Sequence, residues 1–194
     1  MEDAFRYGAD AVVFDLEDGV PAERREEARA NVVEALRRRP AWVRIKDEDD
    51  LAAVAGLAAG IRLPKVRSPE EARRVTERVS VPVVCAIESA QGLEAAAALA
   101  AVPGVYTVSI GGRDLTADLG VPDTEDGLRA VRERLVAVCA VGPIDSVYWG
   151  EDEEGLRAAA ESARRLGFSG KSTLRPGQVA AINAAFSGTL PAAP

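Results

Sequence analysis

Short apolar runs, each followed by charged residues and then by a longer amphipathic segment, alternate along this chain from one end to the other. The runs are Ala11–Phe14, Trp42–Ile45, Ile61–Leu63, Val81–Ile87, Val105–Ile110 and Ile144–Trp149, with a weaker seventh near Lys171–Leu174. Between them lie Ala- and Arg-rich stretches at helical period: Ala22–Arg38, Pro69–Arg78, Gly92–Ala101, Asp126–Val141 and Glu153–Leu166. Near-continuous apolar strands joined through helices specify a parallel sheet buried on its faces. Pro21 and Pro69 stand where a first helical turn accepts proline, Ser68 is placed as an N-cap, and Gly167 as a helix stop after Leu166. Met1–Tyr7 reads as at most the tail of a helix. No linker, low-complexity stretch or charge block divides the chain, so residues 1–194 read as one α/β domain.

A parallel sheet of this kind either curls into a barrel or stays open and doubly wound. No Gly-rich phosphate loop follows the first run, which counts against a dinucleotide-binding sheet. Charged groups instead follow strand after strand. Asp15, Glu17 and Asp18 come after the first run, Arg44 lies in the second, and Lys65 follows the third. Glu88 follows the fourth, and Gly111, Gly112, Arg113 and Asp114 follow the fifth. An open sheet needs such groups only at its switch point, whereas a barrel gathers them at one end of all its strands. The expected fold is therefore a TIM-type (β/α) barrel. Such barrels use eight strands in about 250 residues. This chain has 194 residues and about seven candidate strands, and a first βα unit is the part expected to be missing.

Composition narrows the chemistry. The chain has no histidine, which removes Ser-His-Asp and Cys-His catalysis and imidazole metal sites. Catalysis must then rest on carboxylates, Arg, Lys, backbone groups or a metal. The two cysteines, Cys85 and Cys139, are too few and too far apart for a disulfide framework or metal knuckle and read as small core residues. A net charge of −7 argues against a nucleic-acid surface, though a local cleft can still attract an anion. No apolar run is long enough to span a bilayer and no leader precedes the first strand, so a cytoplasmic protein is expected.

Six segments, in order, resemble the motifs of the citrate lyase β-subunit-like (HpcH/HpaI aldolase) family. They are Gly8–Val20, Val43-Arg44-Ile45, Leu63–Val66, Ala86–Gly92, Gly111–Gly120, and Gly167–Lys171 with Pro176-Gly177-Gln178. The resemblance implies a trimeric or hexameric TIM barrel that makes or cleaves a carbon–carbon bond between a 2-oxo acid and an acyl-CoA thioester. Citryl-, malyl- and citramalyl-CoA are the usual substrates. It implies Mg²⁺ on Glu88 and Asp114, whose two hard oxygens suit a cation that retains its waters. The metal polarises the ketone as a Lewis acid, Arg44 clamps an enolate or carboxylate, and Glu17 and Asp18 orient Arg44 and the metal-bound waters. Arg44, Gly112 and Arg113 are the expected substrate-binding residues.

Each of these residues has a plainer reading. Glu88 can be a dipole-stabilising group at a helix start, and Arg44 a neutraliser of Asp15 or Glu17. Lys65 can be a Schiff-base nucleophile, although nearby carboxylates are expected to keep it charged. The acidic run Glu151–Glu154 reads as a solvated helix start. The sequence also departs from the family pattern: Lys46 stands where an asparagine is usual, and Arg175 where a histidine precedes the closing proline. The family's first strand with its CoA-contacting residues, and a C-terminal lid bearing an aspartate, are expected to be missing. Weak thioester binding, weak lyase turnover and self-association are expected. Two other functions stay open: a non-catalytic metal- and oxo-acid-binding relative, and an acyl-thioester hydrolase.

Overall fold

Each apolar run becomes one strand. The computed structural model, which describes residues 2–187, contains β1 Val13–Asp15, β2 Trp42–Arg44, β3 Gly60–Leu63, β4 Val83–Ile87, β5 Val105–Ile110, β6 Ile144–Asp145 and β7 Gly170–Lys171. They form one sheet in chain order, every neighbouring pair parallel. Helices α1 Arg25–Arg38, α2 Glu48–Val54, α3 Pro69–Thr76, α4 Ala90–Ala100, α5 Gly112–Leu119, α6 Arg129–Val138, α7 Glu153–Leu166 and α8 Val179–Phe186 fall between and after the strands. This is a TIM-type arrangement, curled and left open between β7 and β1 among the described residues. The two ends still approach each other. Asn183 Nδ2 in α8 donates to Gly8 O at 2.7 Å, just before β1.

The strands alternate with period two. Phe14, Val43, Ile61, Val83, Cys85, Ile87, Val108 and Ile110 point one way, into the apolar core beneath the helices. The opposite, concave face carries a register row that runs Asp15, Arg44, Arg62, Val84. Local signals behave as read: Ser68 Oγ accepts from Glu71 N at the start of α3, and Gly167 takes φ 112° to end α7.

Three details differ from the sequence reading. The sixth strand stops at Asp145 rather than reaching Trp149, because its partner β7 offers only Gly170 and Lys171 for pairing. The stretch Glu2–Tyr7 is a 3-10 helix, with Phe5 packed edge-on against Phe14 at 6.2 Å. Helices α2, α5 and α8 were not anticipated. Among the described residues no helix is long and apolar enough to cross a membrane.

A buried carboxylate fixes the first two strand ends. Asp50, 1% exposed, accepts from Arg25 at 3.0 Å, Arg29 at 2.8 Å and the Lys46 amide at 2.9 Å. Arg25 also donates to Leu16 O at 3.0 Å, so one network ties the turn after β1 to the turn after β2. Removing one member of a buried ion cluster leaves the others desolvated and unpaired. Asp50→Ala is therefore expected to lower unfolding free energy by about 3 kcal/mol in urea titration, and an effect below about 1 kcal/mol would mean that the network is not structural.

Candidate functional site

The site is built at the carboxyl ends of β1 to β5. Asp15 closes β1, and its carboxylate accepts from the Glu17 and Gly19 amides, both at 2.9 Å. This turn folds Glu17 and Asp18 back over the strand end. Arg44, at the end of β2, grips Asp15 through Nε at 2.7 Å and Nη2 at 2.6 Å. Its Nη1 lies 2.9 Å from Glu17 Oε2, as an ion pair without hydrogen-bond alignment, and 4.0 Å from Asp18. Burial opposes the charge on Arg44, but Asp15, with Glu17 and Asp18 behind it, holds the guanidinium well above its ordinary pKa.

Lys65 follows β3 with φ 50°, a left-handed backbone uncommon for a residue with a side chain. Its ammonium lies 2.9 Å from Glu17, 3.1 Å from Asp18 and 3.9 Å from Asp114. Donation to Glu17 leads in holding Lys65 far above its ordinary value, which keeps the amine protonated and counts against a Schiff-base role.

Glu88 differs from all of these. It is 6% exposed, and its Oε2 is buried without a hydrogen-bond partner. Burial, reinforced by Glu17 and Asp114 and partly offset by Arg62 and Arg44, pushes its carboxyl up to about 7. The helix that follows is capped by Ser89, whose Oγ accepts from Gly92 N at 3.1 Å, so Glu88 is not serving as a helix cap. Gly111 makes room for it, since a Cβ there would collide with the Glu88 side chain. Glu88, Asp114, Asp118, Lys65, Arg67 and Ser89 line one cleft of about 420 Å³. Asp118 Oδ2 accepts from Ala90 N at 2.7 Å, which secures α5 to the start of α4.

Across the rim, Asp15, Glu17, Asp18, Glu88, Asp114 and Asp118 face Arg44, Arg62, Lys65 and Arg67. No group of three potential ligands is gathered among the described residues. An unpartnered Glu88 beside Asp114, with room for solvent, fits Mg²⁺, which takes one or two carboxylates and keeps its waters.

Other residues singled out in the sequence sit as follows. Gly112 is buried against Ser146, and Arg113 is exposed, with its guanidinium 3.8 Å from the Trp149 ring centroid. Cys85 is buried, which lifts its thiol to about 12, and Cys139 is half-buried. Asp152 in the acidic run caps α7, accepting from Gly155 N at 2.6 Å. Sequence reasoning missed Asp118 and Arg62. Arg62 is hidden inside an apolar run, and its only signal is the two-residue period that aligns it with Arg44 and Asp15.

The fold and this rim define a TIM-type α/β protein with a cluster of carboxylates at its strand ends. Residues 1–176 match the model of the HpcH/HpaI aldolase/citrate lyase family, and the chain belongs to that family. It is 34% identical to a (3S)-malyl-CoA thioesterase of Cereibacter sphaeroides, over 96% of this chain and 72% of the relative. It is 32% identical to a citrate lyase subunit beta-like protein of Deinococcus radiodurans, over 95% of this chain and 74% of the relative. The crystal structure of CitE from Mycobacterium tuberculosis with magnesium and pyruvate superposes with a TM-score of 0.83 at 27% identity, covering 99% of this chain and 87% of that one. Further structures from that organism hold oxaloacetate with magnesium, or magnesium, acetoacetate and coenzyme A. Magnesium is thus bound in several of the family's solved structures.

The environment of Glu88 has a thermodynamic consequence. A carboxyl raised from 4.5 to about 7 binds its proton more tightly folded than unfolded. Stability is then greatest below pH 4.5 as far as this group is concerned, and falls as pH rises toward 7. The loss amounts to about 3 kcal/mol once Glu88 is ionised. In metal-free buffer, Glu88→Gln is expected to raise stability at pH 8 by about 2–3 kcal/mol and to leave it unchanged near pH 4.5. A Gln variant no more stable than the parent at pH 8 would mean that Glu88 has a partner in solution.

Proposed function

We propose that this chain binds Mg²⁺ through Glu88 and Asp114, receives a 2-oxo acid at that site, and acts as a carbon–carbon lyase or aldolase between the oxo acid and an acyl thioester. The observation that carries this reading is the buried, unpartnered Glu88 carboxylate facing the same cleft as Asp114. When bound, the metal supplies Lewis acidity toward the ketone oxygen. The chain's own residues supply the rest. Glu17 and Asp18 hold Lys65 over the cleft as a fixed cation, and Asp15 with Glu17 holds Arg44 rigid beside it. Both cations favour negative charge developing on a bound oxygen without having to reorganise.

A second reading is hydrolysis of an acyl thioester, which the similarity to a (3S)-malyl-CoA thioesterase favours. With no histidine in the chain, proton transfer falls to a carboxylate in either case. Calorimetry tests the shared site. Glu88→Gln and Asp114→Asn are each expected to weaken Mg²⁺ affinity by about tenfold or more, with pyruvate binding lost in parallel. Unchanged metal affinity in both variants would remove the site. Incubation with malyl-CoA separates the two activities: an oxo-acid product marks the lyase, and free CoA with malate and no oxo acid marks the hydrolase.

A further inference from the structure

One cation in the concave face is left over. Arg44 is bound on all three nitrogens, and Lys65 contacts three carboxylates. The Arg62 guanidinium makes no hydrogen bond or ion pair with any described residue, and its Nε is shut off from solvent. It lies on β3 in register between Arg44 on β2 and Val84 on β4. The two-residue period continues from Val84 through Ala86 to Glu88, so Arg62 and Glu88 share one face. The charged groups it senses are Arg44, Glu88, Asp15 and Glu17. On the same face Ser109, aligned with Ala86, is fully buried, and its hydroxyl has no partner. Arginine stays charged even where burial disfavours it. Arg62 is part-buried, and a guanidinium with its Nε shut off from solvent and no partner is costly; that cost is recovered when a planar anion docks on its fork.

We propose that Arg62 binds a second carboxylate of the oxo acid, so that the site selects 2-oxo dicarboxylates over 2-oxo monocarboxylates. This inference rests on the Mg²⁺ and oxo-acid reading of the rim. Val84 is four residues below Glu88, about 13 Å along the strand, and the long Arg62 side chain starts at that depth. An oxo acid held at the rim by its first carboxylate and ketone directs its far end down the concave face toward Arg62. A monocarboxylate such as pyruvate ends short and leaves Arg62 and Ser109 as they stand in the free protein. Arg62 is thus a specificity-determining residue. A purely structural arginine would instead brace Glu88 and serve every ligand equally.

The test is calorimetric titration with pyruvate and with fresh oxaloacetate, at saturating Mg²⁺, of the parent protein, Arg62→Met and Arg62→Lys. The parent is expected to bind oxaloacetate at least about tenfold more tightly than pyruvate. Arg62→Met is expected to abolish that preference while leaving pyruvate affinity within about twofold. Because it removes a part-buried charge without a partner, it should also raise Tm, by up to about 2–4 °C. Arg62→Lys should keep part of the preference, lacking the planar fork. No preference in the parent, or equal losses on both ligands, overturns the inference and leaves the rim site standing. If the parent binds neither oxo acid with Mg²⁺ present, the rim reading fails and the inference fails with it. Should Arg62→Met not fold, a folded Arg62→Lys with an unaltered preference overturns the proposal.

Discussion

The guanidinium of Arg44 is held on every nitrogen by Asp15 and Glu17, and this clamp across the first two strands orders the rest of the rim. Because Glu17 is held there, it can also pull Lys65 inward from a strained backbone at the end of β3. Asp18 closes the same cluster. Asp50, Arg25 and Arg29 stand behind it and keep the two supporting turns together. Five charges at the rim thereby satisfy one another within the protein. The clamp also settles a choice left open by the sequence: Arg44 does neutralise Asp15 and Glu17, and it does so at the edge of the cleft.

What remains unsatisfied is therefore informative. Glu17 Oε2 lacks a hydrogen bond but is ion-paired with Arg44; Glu88 Oε2, Arg62 Nε and Ser109 Oγ are buried polar atoms without any partner, on one face of three consecutive strands. Each such atom costs stability, about 1–3 kcal/mol where no water compensates. Unpaired groups gathered in one place reflect a trade between stability and binding of a kind common at functional sites. The unpartnered atoms of the Asp145–Arg132 pair lie elsewhere, where Asp145 also binds Lys171 at 2.7 Å, and belong to the packing of α6 and β7.

Much of the fold was legible because strand period and helix caps are local. The six stronger apolar runs each overlap a strand, and α7 has the expected bounds, because Leu156, Ala159, Ala160 and Ala163 mark its buried face. Helices α2 and α5 were missed for different reasons. The first is a seven-residue helix whose clearest signal is its Asp47 cap, and the second starts at a glycine that reads as a turn. That Glu88 and Asp114 line one cleft followed from strand-end placement together with the family motifs they carry. The stacking of Arg113 on Trp149 did not, since it depends on where the loop after β6 runs once that strand is cut short. Arg62 was hidden because a single cation in an apolar run looks like noise until register shows which face it occupies.

The proposed pairing of Glu88 and Asp114 on one divalent cation can be seen directly. Mn²⁺, which takes similar oxygen ligands and scatters anomalously, locates that cation directly in crystals grown with pyruvate. A single anomalous peak bonded to Glu88 and Asp114 carboxylate oxygens, at about 2.0–2.3 Å, is the predicted result. A peak seated on other residues, or none at saturating Mn²⁺, would contradict it.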